Sequence, residues 1–140
     1  MELADAIAFI ADHRQGVLVT QKADGRPQLS NITYALIDGV VVISVTDARA
    51  KTKNLRRDAR AALHVTRQDF YAYVVLEGDA ELSPVAAAPD DATVEALVAH
   101  YRLIVGEHPD WDDFRRTMVA DRRLVVRLAP TWAYGMLPER

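Results

Sequence analysis

The sequence predicts a mainly β domain with peripheral helices: six short antiparallel strands rolled into a small barrel. Three observations carry that expectation. Strand-like apolar runs recur as "GVLVTQ", "PQLSNITYAL", "VVVISV", "AALHVT", "YAYVVLEGDAEL" and "RLVVRLAP". Asp24-Gly25 and Asp38-Gly39 punctuate the first three as tight-turn dipeptides. Helical periodicity falls in separate blocks and does not alternate with the strands as a parallel α/β sheet requires.

In order, Leu3, Ile7, Ile10 and Ala11 mark an amphipathic helix that stops near Gly16. Three strands then form an antiparallel meander over roughly Gly16 to Val45. Two strands follow a basic segment and are joined through Arg67 to Phe70. Val94, Leu97, Val98, Tyr101, Ile104 and Val105 define the face of a helix that starts at Asp90-Asp91 after Pro89 and ends at Gly106. A shorter helix runs from Trp111 to about Ala120 with Asp110 as its N-cap, and the sixth strand follows.

At 140 residues and 50% hydrophobic, the chain reads as one domain, residues 1–140. A domain of that size buries roughly 68% of its unfolded surface. It has no cysteine, which excludes disulfides, cysteine-ligated metal and thiol nucleophiles, and leaves the cytoplasm as the default location. Glu2, Asp5 and Asp12 interrupt the N-terminal apolar pattern, so neither a signal peptide nor a membrane span is expected. A net charge of -3 argues against nucleic acid as a partner of the whole surface.

Hydrolytic and metal chemistry find no support. His13, His64, His100 and His108 are scattered, with no pair at the i, i+4 spacing of a helical metal site, so no metal is expected. No serine sits in G-x-S-x-G, and neither G-x-G-x-x-G nor a Walker pattern occurs. Asp110, Asp112 and Asp113 are accounted for by the dipole of the helix they begin. No catalytic side chain is assigned.

"DARAKTKNLRRDAR", Asp47 to Arg60, gathers Arg49, Lys51, Lys53, Arg56, Arg57 and Arg60 in an otherwise acidic chain. Thr46-Asp47 reads as the cap of a helix running to about Arg57. Free amides at a helix start beside Arg49 and Lys51 form an anion site. Spacing alone leaves a second reading open, that these charges merely solvate a surface helix. No aromatic residue interleaves them to stack on bases.

The hairpin "VLVTQKADGRPQLSNI", the strand "VVVISV" and the motif "RAKTKNLRRD" together resemble the pyridoxamine 5'-phosphate oxidase-like split-barrel family, in its actinobacterial branch that uses the deazaflavin coenzyme F420. The similarity spans nearly the whole chain, including "AAAPDDATVEAL" and "WAYGM". It implies a six-stranded split β-barrel of the FMN-binding type, forming a homodimer with two equivalent cofactor sites at the subunit interface. Arg49, Lys51 and Thr52 would hold the cofactor's phosphate, with Arg56 nearby. Gln28, Leu29, Ser30 and Asn31 would lie along the tricyclic ring, and Tyr71 and Trp132 would stand at the ring or the site wall. Trp132 and Tyr134, beyond the sixth strand, suit a dimer interface. The family's phosphopyridoxal oxidases continue into a C-terminal extension for the pyridoxal substrate, whereas this chain ends at Arg140. The expected reaction is therefore hydride transfer from reduced F420 to a conjugated small molecule, with FMN as the alternative cofactor and a non-catalytic carrier as the alternative role.

Overall fold

The structure is a computed structural model and describes residues 1–138. The chain forms α1 (Leu3–Ala11), β1 (Gln15–Gln21), β2 (Pro27–Thr33), β3 (Ala35–Ile37), β4 (Val40–Thr46), α2 (Ala50–Arg57), β5 (Arg60–Thr66), β6 (Tyr73–Leu82), α3 (Ala92–Ile104), α4 (Trp111–Ala120), β7 (Arg123–Leu128) and β8 (Trp132–Met136). The mainly β barrel with peripheral helices is as expected, but it has eight strands among the described residues where the sequence predicted six. "PQLSNITYAL" divides at Tyr34 into β2 and β3, and "WAYGM" pairs as β8.

The division at Tyr34 closes the barrel. Strands run in the order β2-β1-β5-β6-β7-β4-β3, with β8 added on β6. β2 and β3 thus occupy opposite ends of the sheet while only Tyr34 separates them in the chain, so the sheet must curl until its ends meet. The meander expected from Gly16 to Val45 is accordingly two hairpins, β1–β2 and β3–β4. The second turns on Asp38 and Gly39 at φ 52° and 77°, the left-handed pair a two-residue hairpin needs. Pairing of β3 to β4 ends at Ala35 with Val42. Beyond it, Ile43–Thr46 of β4 pair only with β7, and β2 pairs only with β1. The barrel is split between these two free edges.

Strand parity builds two cores. Leu18, Ile32, Val41, Ile43, Val45, Leu63, Val65, Val74, Leu76, Leu124, Val126 and Leu128 point inward, joined by Ala6 and Ile10 of α1 and Leu55 of α2. Each fully buried aliphatic side chain contributes about 1.5–3 kcal/mol. Tyr34 anchors α1 by donating its buried hydroxyl to the Ile10 carbonyl at 2.6 Å. On the outside, Val42 and Val125 pack against Val94, Leu97 and Val98 of α3 and Phe114 of α4. α3 starts where expected: the Asp91 carboxylate accepts from the amides of Val94, Ala87 and Ala88. No helix among the described residues is long and apolar enough to cross a membrane.

Candidate functional site

α2 braces the split. From its first turn, Thr52 is buried and donates its hydroxyl to the Thr46 carbonyl at 2.7 Å, fixing the helix to the end of β4. One turn on, Asn54 donates to Thr20 Oγ1 at 3.1 Å and Gln28 Oε1 at 2.6 Å, fixing it to β1 and β2. Arg57 adds bonds to the Gln21 carbonyl and Asn54 Oδ1, both at 2.9 Å. The basic segment is therefore a helix with a fixed position, its buried face anchored through Thr52 and Asn54 and its Arg49, Lys53, Arg56 and Arg57 exposed.

The N-cap is Arg49, which makes no side-chain cap, and not Thr46-Asp47 as the sequence predicts. Asp47 is used otherwise. Its carboxylate accepts from Arg56 at 2.5 Å and from Arg122 at 3.0 Å, and these bonds, Arg56 first, hold its pKa below the usual range. Among the described residues, the amides of Ala50, Lys51 and Thr52 have no acceptor. They project from the first turn beside Arg49 and Lys51.

The six cations then sort themselves. Arg56, Arg57 and Arg60 are engaged within the protein, Arg60 by a 2.7 Å pair with Asp58 that draws that acid's pKa down to about 2. Among the described residues, Arg49, Lys51 and Lys53 have no ion pair or hydrogen-bond partner. Lys51 is half-buried, and its pKa is lowered, first by burial and then by the charges of Arg49 and Arg123. Burial and like charge both disfavour the ammonium, so a nearby anion would stabilise it.

Arg123 is the residue the sequence reading missed. It opens β7, directly across from Thr46, and donates from Nη1 to Ser44 Oγ at 3.2 Å. Nothing local signals it, because the β4–β7 register alone carries it to the basic helix.

The expected ring strand alternates. Leu29 and Asn31 face outward and are exposed, Leu29 by 63%. Gln28 and Ser30 have the opposite parity, and Gln28 already accepts from Asn54. A cleft of about 400 Å³ runs along Gln15–Val17 and Asn31–Thr33 on the outer surface of the hairpin. Tyr71 and Trp132 lie elsewhere. Tyr71 sits at the β5–β6 hairpin tip beside Phe70, whose φ is 67°, and both rings are exposed. Trp132 pairs with Glu77, in a row that runs Leu29, Val19, Ala62, Glu77, Trp132 across five strands. Four strand spacings, about 19 Å measured along the curled sheet, separate Trp132 from Leu29. Within one chain, then, Arg49, Lys51, Thr52 and Arg56 come together beside Gln28, while Tyr71 and Trp132 do not join them.

Outward-facing Val17, Val19, Tyr73 and Val75 lie between Leu29 and the exposed Trp132, Tyr134 and Met136. The result is a broad sheet face on which these apolar groups are interspersed with Asn31, His64 and the exposed Glu77. Among the described residues no group of three or more acids and histidines could hold a metal ion.

Comparison with known proteins agrees with this geometry. A conserved hypothetical protein from Mycobacterium tuberculosis has 27% sequence identity, with 100% of this chain and 91% of that one covered at a TM-score of 0.76. An F420 reductase has 24% identity over 86% of this chain and 89% of its own, TM-score 0.61. A FAD-binding protein from Mesorhizobium loti shares the fold at 17% identity, covering 96% and 92%, with a TM-score of 0.68. The sequence profile described as pyridoxamine 5'-phosphate oxidase matches residues 4–137, and on that match the chain belongs to the pyridoxamine 5'-phosphate oxidase family.

Proposed function

We propose that this protein is an oxidoreductase that binds reduced coenzyme F420 and passes hydride to a conjugated small-molecule acceptor. The observation that carries the reading is the uncompensated start of α2: three free amides, Arg49, and half-buried Lys51 with no counter-charge. That donor set fits a phosphate, and it opens at the barrel's split beside a strand edge whose backbone is unpaired on one side. The bound deazaflavin supplies hydride from its C5 carbon; the protein binds, orients and excludes water. Thr52 contributes to this site through its amide, because its hydroxyl proton is committed to Thr46. Asn31 and Leu29 offer the ring a polar and an apolar contact on the outer face, and Ser30 and Gln28 line the split behind them.

In this reading the site is completed by a second copy of the chain. Tyr71 at the β5–β6 tip and Trp132 on β8 would reach such a site from the partner copy, and the face that carries Trp132 and Tyr134 is the surface through which a homodimer would form.

FMN is the second reading, and one observation favours it. With Arg56, Arg57 and Arg60 engaged internally, the free cations suffice for one phosphate, whereas the F420 tail adds further carboxylates. Titration with F420 and FMN side by side, followed by oxidation of the bound reduced cofactor against quinones, enones and tetrapyrroles, tests the proposal. Cofactor binding with no turnover on any acceptor would leave a carrier.

A further inference from the structure

A trough crosses one end of the outer sheet face. The cleft along Gln15–Val17 and Asn31–Thr33 continues into a second cavity of about 690 Å³, because the two share Gln15 and Thr33, which are register partners on β1 and β2. The second cavity is walled by Arg14, by Thr66 and Gln68 at the end of β5, and by Ile104 at the end of α3. Its size falls within the roughly 300–1,000 Å³ of small-molecule sites. One end of the trough is therefore the Val17–Asn31 pair, and the other is a rim at Arg14 and Gln68. Asn31 and Thr33 alone are about 7 Å apart along their strand.

The polar groups of the trough are uncommitted. Gln15, Thr33 and Gln68 come from three separate segments, and among the described residues none of their side chains hydrogen-bonds to the protein. Arg14 Nη1 donates to the carbonyls of Leu103 and Ile104 in the last turn of α3, which holds the side chain at the rim. Among the described residues its Nε and Nη2 have no partner and no acid pairs with it. Arg14, Gln15 and Gln68 are exposed, so a solute can reach them. No aspartate or glutamate lines either cavity. Arginine can only donate, and the carboxamides and the hydroxyl can donate as well. The set therefore favours a ligand rich in acceptor oxygens, and a carboxylate above an amine.

We propose that this trough holds the hydride acceptor, a flat conjugated carbonyl compound bearing a carboxylate, with its conjugated part over Val17 and Asn31 and its carboxylate at Arg14, Gln15 and Gln68. The inference rests on the reading that sets the deazaflavin ring against Leu29 and Asn31, and it names the acceptor's class and place. Hydride from the reduced cofactor adds to the acceptor's β carbon, and the C=C pair shifts onto the conjugated carbonyl oxygen as an enolate. A proton from water then completes the C–H bond at the α carbon, so the acceptor gains the two electrons that the cofactor loses.

The test uses cinnamate and cinnamamide, which share a conjugated body and differ in charge, titrated by ligand-observed NMR against the protein loaded with oxidised F420, or with FMN where that is the cofactor that binds. Wild type should favour the carboxylate roughly fivefold or more, the scale of partly exposed charged hydrogen bonds. Arg14→Gln should bring that preference below about twofold while cofactor affinity stays within twofold of wild type. In the ternary complex the phenyl protons of cinnamate should show Overhauser effects to the cofactor's ring protons. Cofactor binding that depends on Lys51, with a cinnamate preference indifferent to Arg14, would overturn the proposal and leave the cofactor reading standing. Displacement of the cofactor by cinnamate, or a ternary complex without ring-to-ring Overhauser effects, would also overturn it. If neither cofactor binds, the cofactor reading falls, and the acceptor assignment falls with it even where cinnamate binds through Arg14. Should Arg14→Gln lose its cooperative thermal transition, Gln68→Glu decides: an acid at that exposed rim position should lower the preference at least threefold, and an unchanged preference refutes the proposal.

Discussion

Lys51 holds its charge beside Arg49 and Arg123 with no acid among its described neighbours, and that isolation separates it from the other cations of its helix. Replacing it with alanine should weaken phosphate-bearing cofactors by roughly 1.5 to 3 kcal/mol, the range for a hydrogen bond to a charged group, with little loss of fold. Arg56→Ala should cost less binding, because its guanidinium is committed to Asp47. Isothermal or fluorescence titration of both variants checks the ordering. His100 gives a second prediction. Its pKa in the folded protein is about 4, below the ordinary 6.5, so the unfolded chain takes up the proton first. Stability from the neutral form is complete above about pH 6.5 and is lost as pH falls toward 4. At about 1.4 kcal/mol per pKa unit, wild type should lose on the order of 1 to 2 kcal/mol between pH 7 and 5. His100→Gln should lose distinctly less in paired denaturant titrations. Arg49 and Lys51 were legible in the sequence because a basic run at a helix start has a physical meaning on its own. Thr52 entered the candidate site through the family resemblance, and its hydroxyl serves Thr46. Arg123 was not legible, since only strand register places it.

At the scale of elements, α2 acts as a brace. Thr52 holds one side of the split and Asn54 the other, so Asn54→Ala should remove the hold on Thr20 and Gln28 while leaving the anion ligands in place. Leaving the buried Thr20 hydroxyl and the half-buried Gln28 carbonyl unpaired costs about 1–3 kcal/mol of stability. Cofactor affinity should fall by less than it does in Lys51→Ala. A matched pair of thermal melts and titrations would show this separation. β8 depends on Gly135, whose φ is 148° and where an added Cβ would lie 2.2 Å from the Tyr73 carbonyl oxygen. Gly135→Ala should therefore pull β8 from β6, seen as faster hydrogen exchange from residue 132 to 136. The starts of α3 and α4 were legible because they carry local chemistry, Asp91 and Asp110 capping them where the sequence places them, whereas α2 starts at Arg49 with no side-chain cap and not at Thr46-Asp47. The break at Tyr34 was not, because apolar alternation continues through it and periodicity is silent about which strand lies alongside. β8 escaped notice for a related reason. It is short, carries a glycine, and shows three of its five side chains as large exposed apolar groups.

The whole molecule joins a curled sheet, a brace across its split and an outer sheet face with exposed Trp132, Tyr134 and Met136. If a second copy covers that face, the protein should sediment as a dimer at micromolar concentration, with an interface on the order of 1,200–2,000 Å². Trp132→Ala together with Tyr134→Ala should shift it toward monomer and weaken cofactor binding in parallel. A wild-type monomer that binds cofactor tightly would place the whole site within one chain. The central claim is that the start of α2 holds the phosphate of F420. It is tested most directly by equilibrium titration of wild type and Lys51→Ala with F420 and FMN, each at low and physiological salt. Exposed charge pairs are screened over about 8 Å at physiological ionic strength. The account predicts that F420 binds more tightly than FMN at low salt, loses affinity more steeply as salt rises, and loses at least tenfold on substitution of Lys51. Equal salt slopes with FMN at least as tight would transfer the site to FMN, and indifference of both cofactors to Lys51→Ala would contradict the claim outright.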